Sequence, residues 1–228
     1  MKTKPILFST PMVQAILEGR KRQTRRIVSQ NNSLYAVKFS TLNFMKAFVD
    51  DLKKVFPKST ANLSFAFDKK IHRLFSKIEA GDILWVRETW QHTKILGLNT
   101  EDENYGFVYR ASKNGQDFQH NMENWKWKPS IFMPKEACRL FLEITNVRVE
   151  RLQNIIEKDA IAEGIEEIHP APFLIRWKNY LNPKQLLEEP TDSFKSLWQS
   201  INGKESWNQN PWVWVYDFKI CEKPPLYF

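Results

Sequence analysis

Pro211 to Cys221 reads PWVWVYDFKIC, and this segment limits the architecture more than any other. As a strand it sets Trp212, Trp214, Tyr216 and Phe218 on one side and Val213 and Val215 on the other. Apolar side chains on both sides need cover on both sides, which predicts a closed β-barrel with helices packed outside it. The chain has enough material for such a core: of 228 residues, 42% are hydrophobic, with nine Trp and sixteen Phe. That content excludes global disorder and fits one large domain or two small ones. No apolar run approaches the ~18–20 residues of a membrane span. The N-terminal residues lack the pattern of a secretory leader. Cys138 and Cys221 have no metal-binding spacing, so reduced thiols and a cytoplasmic setting are expected, with no membrane partner.

The remaining elements alternate between helix and strand signals. Ile6 to Ser9 is a short apolar element. Thr10-Pro11 then reads as an N-cap followed by proline in the first turn. Met12, Val13, Ala15, Ile16 and Leu17 keep helical spacing up to a stop at Gly19. Ile83 to Trp90 predicts one strand, with Trp85 and Arg87 on one face and Glu88 and Trp90 on the other. Tyr105 to Arg110 is a second, and Arg139 to Leu152 a third, carried by Leu140, Leu142, Ile144, Val147 and Val149. A helix is expected over about 155–163, with Asn154 and Glu157 as a capping box and Gly164 as the stop. Another is expected over about 193–201, ending at Asn202-Gly203. Residues 29–78 read as a lysine-rich helical insertion, with helical periodicity from Leu42 to Phe56 before Pro57. The expectation is a single α+β domain over 1–228.

Charge is unevenly placed. Residues 1–80 hold 16 of the 34 Lys and Arg but only 5 of the 26 Asp and Glu, within a formal net charge of +8. A basic half of this kind suits a phosphate-rich partner, RNA, a nucleotide or DNA. There is no Gly-rich phosphate loop, no GxGxxG and no serine nucleophile elbow. His72, His92, His120 and His169 are scattered, so neither a metal nor a cofactor is expected.

Within the basic half, Arg20-Lys21-Arg22-Gln23-Thr24-Arg25-Arg26 puts five cations in seven residues directly after a helix stop. Lys21 and Thr24 would face opposite sides of a strand but converge on a turn. Like charge around Lys21 disfavours its ammonium form. A neutral amine can serve as general base to a threonine hydroxyl. A solvated basic turn that grips phosphate without catalysis fits the same residues. Glu163 stands at the end of its helix, where the macrodipole disfavours a carboxylate. Trp85, Arg87, Glu88 and Trp90 are either a platform for unstacked bases or core aromatics with an Arg–Glu pair at the rim.

The pattern Gly19-x-Lys21-x-x-Thr24-x-Arg26 resembles the GxKxx(E/T)xR signature of ASCH domains, which have a PUA-like β-barrel fold. Asp159-Ala160-x-x-Glu163-Gly164-Ile165 is similar to that family's helical motif. KPILFSTPMVQAILEGRKRQTRR, GDILWVRETW, ITNVRVERL and NPWVWVYDF together resemble a prophage-associated branch. The resemblance leaves out residues 29–78. It implies a module that binds RNA or a modified nucleoside. One branch hydrolyses N4-acetylcytidine with a lysine, a threonine and a glutamate, which fall here on Lys21, Thr24 and Glu163. In that scheme Lys21 takes a proton from Thr24 or water, and Thr24 attacks the acetyl carbonyl or positions the water. Glu163 orients the lysine or delivers a proton to the leaving exocyclic amine, and Arg26 and Arg87 hold phosphate or base edges. Arg20, Arg22, Arg25, Trp85 and Glu88 complete the expected substrate contacts. A binding-only RNA or DNA module of phage origin, and a metal-independent ribonuclease, are the competing expectations.

Overall fold

The computed structural model describes residues 2–28, 62–67, 70–75, 78–94, 105–112 and 126–225. The fold is mixed α+β. Its main sheet contains β1 (Thr3–Leu7), β2 (Gln23–Ile27), β5 (Ile83–Arg87), β8 (Phe141–Arg151) and β12 (Trp212–Cys221), in the order β1-β5-β8-β12-β2. β1 and β5 run parallel, and the other neighbours are antiparallel. Among the described residues three α-helices pack on the sheet: α1 (Thr10–Leu17), α2 (Glu157–Ala162) and α3 (Pro190–Asn202).

The two-faced strand lies where its sequence demands. On one side Trp214, Tyr216 and Phe218 join Ile6, Phe8, Leu84, Leu142 and Val147 under α1, which contributes Val13 and Ile16. On the other, Val213 and Val215 join Leu152, Ile165, Trp177 and, from α3, Phe194 and Trp198. β12 is therefore a wall shared by two cores. A bulge on β8 resolves an oddity of its sequence, in which the apolar positions change parity between Ile144 and Val147. Tyr216 pairs with Val147 and Phe218 with Ile144, so one extra β8 residue is accommodated and both sides of the break face the same core.

Among the described residues the main sheet has β1 and β2 as its edges, linked by the Arg26 guanidinium donating to the Leu7 carbonyl at 3.1 Å, and no closed barrel is seen among them. Several other expectations need correction. The strand expected over 83–90 ends at Arg87, and Trp90 opens β6 (Trp90–Lys94), which forms a hairpin with β7 (Tyr105–Tyr109). The N-cap position of α1 falls on Ser9 rather than Thr10, with no side-chain capping bond. α2 has Ile156 at its N-cap with no side-chain cap, so the Asn154/Glu157 capping box is not formed. α3 begins three residues early, at Pro190, as proline in the first turn permits. The described part of the 29–78 insertion is an antiparallel hairpin of β3 (Asn62–Phe67) and β4 (Lys70–Phe75), not a helix. The helix expected over 42–56, like His120, lies outside the described residues. A three-stranded sheet of β9 (Glu167–Ala171), β10 (Leu174–Lys178) and β11 (Leu186–Leu187) completes the description. No helix among the described residues is long and apolar enough to cross a membrane.

Buried Asp82 ties down the start of the main sheet. Its carboxylate accepts from the backbone N–H of Lys2 and of Glu79, each at 3.0 Å, and is ion-paired with Lys4. Burial alone would raise its pKa, but Lys4 and the two N–H donors outweigh that and hold it below the ordinary aspartate value. A carboxylate depressed in the folded state contributes stability above its unfolded pKa of ~3.9 and loses it as pH falls through the folded value. Asp82→Asn is expected to cost about 1–2 kcal/mol at neutral pH. The gap to wild type should shrink as denaturation midpoints are followed down to pH ~2–3. A gap that stays constant with pH would exclude the ionic contribution.

Candidate functional site

The basic segment after α1 is not wholly irregular backbone. Gly19, at φ +74°, ends the helix, and the strand geometry of β2 begins at Gln23. Lys21 falls between them, as an isolated antiparallel bridge partner of Glu163. Its N–H donates to the Ala15 carbonyl at 2.9 Å, and the N–H of Arg22 donates to the Ala162 carbonyl at 2.8 Å. The first bond ties the segment back to α1, and the second lashes it to the C-terminal end of α2, where Glu163 is the C-cap. Gly164, at φ +85°, makes the approach sterically feasible, because a Cβ there would sit 2.6 Å from Lys21 Cβ and 3.1 Å from Ala15 Cβ.

Lys21 and Glu163 are thereby brought together out of solvent, 2% and 5% exposed. The Lys21 ammonium donates to Glu163 Oε2 and to the Glu163 carbonyl, both at 2.8 Å. The other carboxylate oxygen, Oε1, accepts from Arg25 at 3.0 Å. Two cations thus offset the unfavourable helix-end position of Glu163. Lys21 has its pKa lowered, chiefly by burial; Glu163 opposes the shift, and Arg26 and Arg25 add to it. Like charge, the cause expected from sequence, is the smaller contribution.

Thr24 is on β2, 1% exposed, with its Oγ1 accepting from Arg26 at 3.0 Å. Its pairing with Tyr216 places it on the first-core side of the sheet, whereas Arg25, paired with Val215, lies on the second-core side. β2 is an edge strand, so a hollow can wrap its free edge and take residues from both faces. Such a cavity of about 100 Å³ is lined by Lys21, Thr24, Arg25, Arg26 and Glu163, with Met12, Ile27 and the α3 residues Phe194, Leu197 and Trp198 as its apolar wall. The Phe8 ring lies 5.9 Å from the Lys21 ammonium and 5.2 Å from the Arg26 guanidinium, within cation–π range.

The other expected contacts separate. Arg22 is exposed. Arg20 bonds Glu18 at 2.7 Å and the Gly164 carbonyl at 2.8 Å. Arg25 is no surface phosphate grip: it is 3% exposed and ion-paired with Glu150 at 2.6 Å and Asp159 at 3.3 Å as well as Glu163. Trp85, Arg87 and Glu88 do not line the cavity. Arg87 stacks 5.5 Å from the Trp85 ring and bonds the Ile131 carbonyl. Glu88, fully buried, is held bidentately by Arg139 at 2.9 and 3.0 Å. The Arg–Glu pair expected within this cluster is thus made with Arg139 instead of Arg87, beside a third apolar cluster containing Trp90, Met133 and Phe141.

Sequence reasoning missed the acidic side of the site. Arg148 links Glu150 at 3.3 Å, Asp159 at 2.6 Å and Asp217 at 2.9 Å, extending the Arg25 network along β8 and β12. The available signal was the pair Arg148 and Glu150, polar at alternate positions of a strand whose other face is apolar. Among the described residues no group of three or more His, Cys, Asp or Glu is placed to hold a metal ion. No protein-family model, curated protein or solved structure matches this chain.

Proposed function

We propose that this is a nucleoside- or RNA-recognising protein of the ASCH, PUA-like kind, and that it hydrolyses the amide of N4-acetylcytidine. One observation carries the reading: Lys21 and Glu163, 142 positions apart, are hydrogen-bonded at 2.8 Å in a buried hollow that Thr24 also lines. The barrel belongs to the same proposal, supported by the Arg26 bond that spans the two edges of the main sheet.

Lys21 in its neutral form takes the Thr24 hydroxyl proton as Oγ1 bonds to the acetyl carbon. Arg26, already donating to Oγ1, steadies the attacking oxygen as it loses its proton, while the negative charge passes to the acetyl oxygen. The lysine ammonium then returns the proton to the exocyclic nitrogen as the C–N bond breaks, releasing cytidine. Water cleaves the acetyl–threonine ester, giving acetate and the restored hydroxyl. Glu163 keeps the amine aimed throughout. The cavity is well below the ~300 Å³ of a pocket that encloses a whole ligand, so it takes the acylated amide end and leaves the sugar outside.

Incubation with N4-acetylcytidine, followed by ultraviolet absorbance, is the test. Wild type is expected to turn over, and Thr24→Ala to lose at least ~10²-fold in kcat/KM. No turnover by wild type, with RNA binding that falls steeply with salt, would leave a binding module. Cleavage of an RNA oligomer in the presence of chelator would leave a nuclease.

A further inference from the structure

Arg25 lies outside the motif residues Gly19, Lys21, Thr24 and Arg26, yet it is the most heavily partnered side chain around the site. Its guanidinium donates to Glu163 Oε1 at 3.0 Å through one terminal nitrogen and to Glu150 at 2.6 Å through the other, and its plane lies 5.5 Å from the Phe194 ring. The Glu163 carboxylate is thus divided, Oε2 to Lys21 and Oε1 to Arg25. This division bears on a problem any lysine base must solve. When a buried Lys–Glu pair loses its proton, the carboxylate is left without a counter-charge, which resists the loss. A guanidinium does not titrate in the working range, so a carboxylate it holds stays paired whatever the lysine does.

We infer that Arg25 is a positioning residue of the proposed amidohydrolase: it holds Glu163 as a paired, aimed carboxylate so that Lys21 can give up its proton. The inference rests on that reading of the site. The charged groups facing Lys21 are Glu163 at the end of α2 and Arg25 and Arg26 on β2. Behind Arg25 stand Glu150 and Arg148 on β8, Asp159 on α2 and Asp217 on β12. Of these, Arg25 alone touches the same carboxylate as Lys21.

Two readouts on the labelled full-length protein test it, one independent of activity. In Arg25→Gln, the Lys21 side-chain NMR titration is expected to move up by ~1 pH unit or more. The rising limb of the N4-acetylcytidine pH–rate profile should follow it, with about tenfold loss per unit at a fixed lower pH. Arg25→Lys keeps a positive charge without the untitrating fork, so it should recover both shifts in part and exceed Arg25→Gln. A folded Arg25→Gln protein with an unmoved Lys21 titration would overturn the inference, as would Arg25→Lys no better than Arg25→Gln. Should Arg25→Gln not fold, wild type still decides: the Glu163 carboxyl carbon must keep its paired-carboxylate signature while Lys21 titrates, and a protonated signature refutes the role. If wild type shows no hydrolysis, the amidohydrolase falls, and the two NMR titrations still report whether Arg25 governs Lys21.

Discussion

Gly164→Ala is expected to destabilise the protein by about 2–5 kcal/mol. Two costs combine. A Cβ in left-handed backbone costs about 1–2 kcal/mol, and here φ is +85°. The new methyl would also lie 2.6 Å from Lys21 Cβ, 3.1 Å from the Lys21 backbone and 3.1 Å from Ala15 Cβ. These are not flexible ends that swing away, so the bridge between Lys21 and Glu163 must open, adding an overpacking cost of about 1–3 kcal/mol. Gly19→Ala is the internal control, since Gly19 has φ +74° but nothing near the added atom. It should show the conformational cost alone. Thermal melts of the two variants should differ by several degrees. Equal melts would mean the segments move apart freely and the site is softer than its hydrogen bonds imply.

Lys21→Met is expected to reduce N4-acetylcytidine turnover by ~10²–10⁴-fold, the usual contribution of a general base. The loss should appear in kcat more than in KM, because the amine acts on the proton in transit rather than on the bound ligand. Methionine fills the buried stem, and Glu163 keeps Arg25, so the fold should survive. Stability also carries a signature. Burial lowers the Lys21 pKa below its usual 10.5, so the unfolded chain binds that proton more tightly. Lys21 therefore weakens the fold at lower pH, and the penalty lifts as pH rises from the folded value toward ~10.4. Lys21→Met should flatten that rise. Unchanged turnover in a folded variant would remove lysine from the chemistry.

The legibility of this chain follows physical range. β12 was readable because both of its faces are apolar, and a local pattern of that strength leaves few packings. Gly19, Gly164 and Gly203 mark real helix ends, each at positive φ. The meeting of Lys21 with Glu163 was anticipated from a motif resemblance, not from periodicity. The placement of Arg25 was not anticipated, because a run of cations looks alike whether it faces water or carboxylates supplied by β8 and α2. Glu88 misled in the same way: its partner Arg139 is 51 residues distant, and nothing local separates a rim carboxylate from a buried one. The break after Arg87 was hidden because Glu88-Thr89 lies between two strong strand formers.

A strand that walls two hydrophobic clusters and pairs with both β8 and β2 also sets the order in which the molecule can be assembled. Residues 212–221 are made by the ribosome long after β2, so neither cluster can be sealed while translation of the preceding chain is under way. Until then the nascent polypeptide carries Phe8, Leu142, Phe194 and Trp198 without their final neighbours. Maturation is thus pushed to a late, long-range closure, and holdase chaperones have a defined window in which to act.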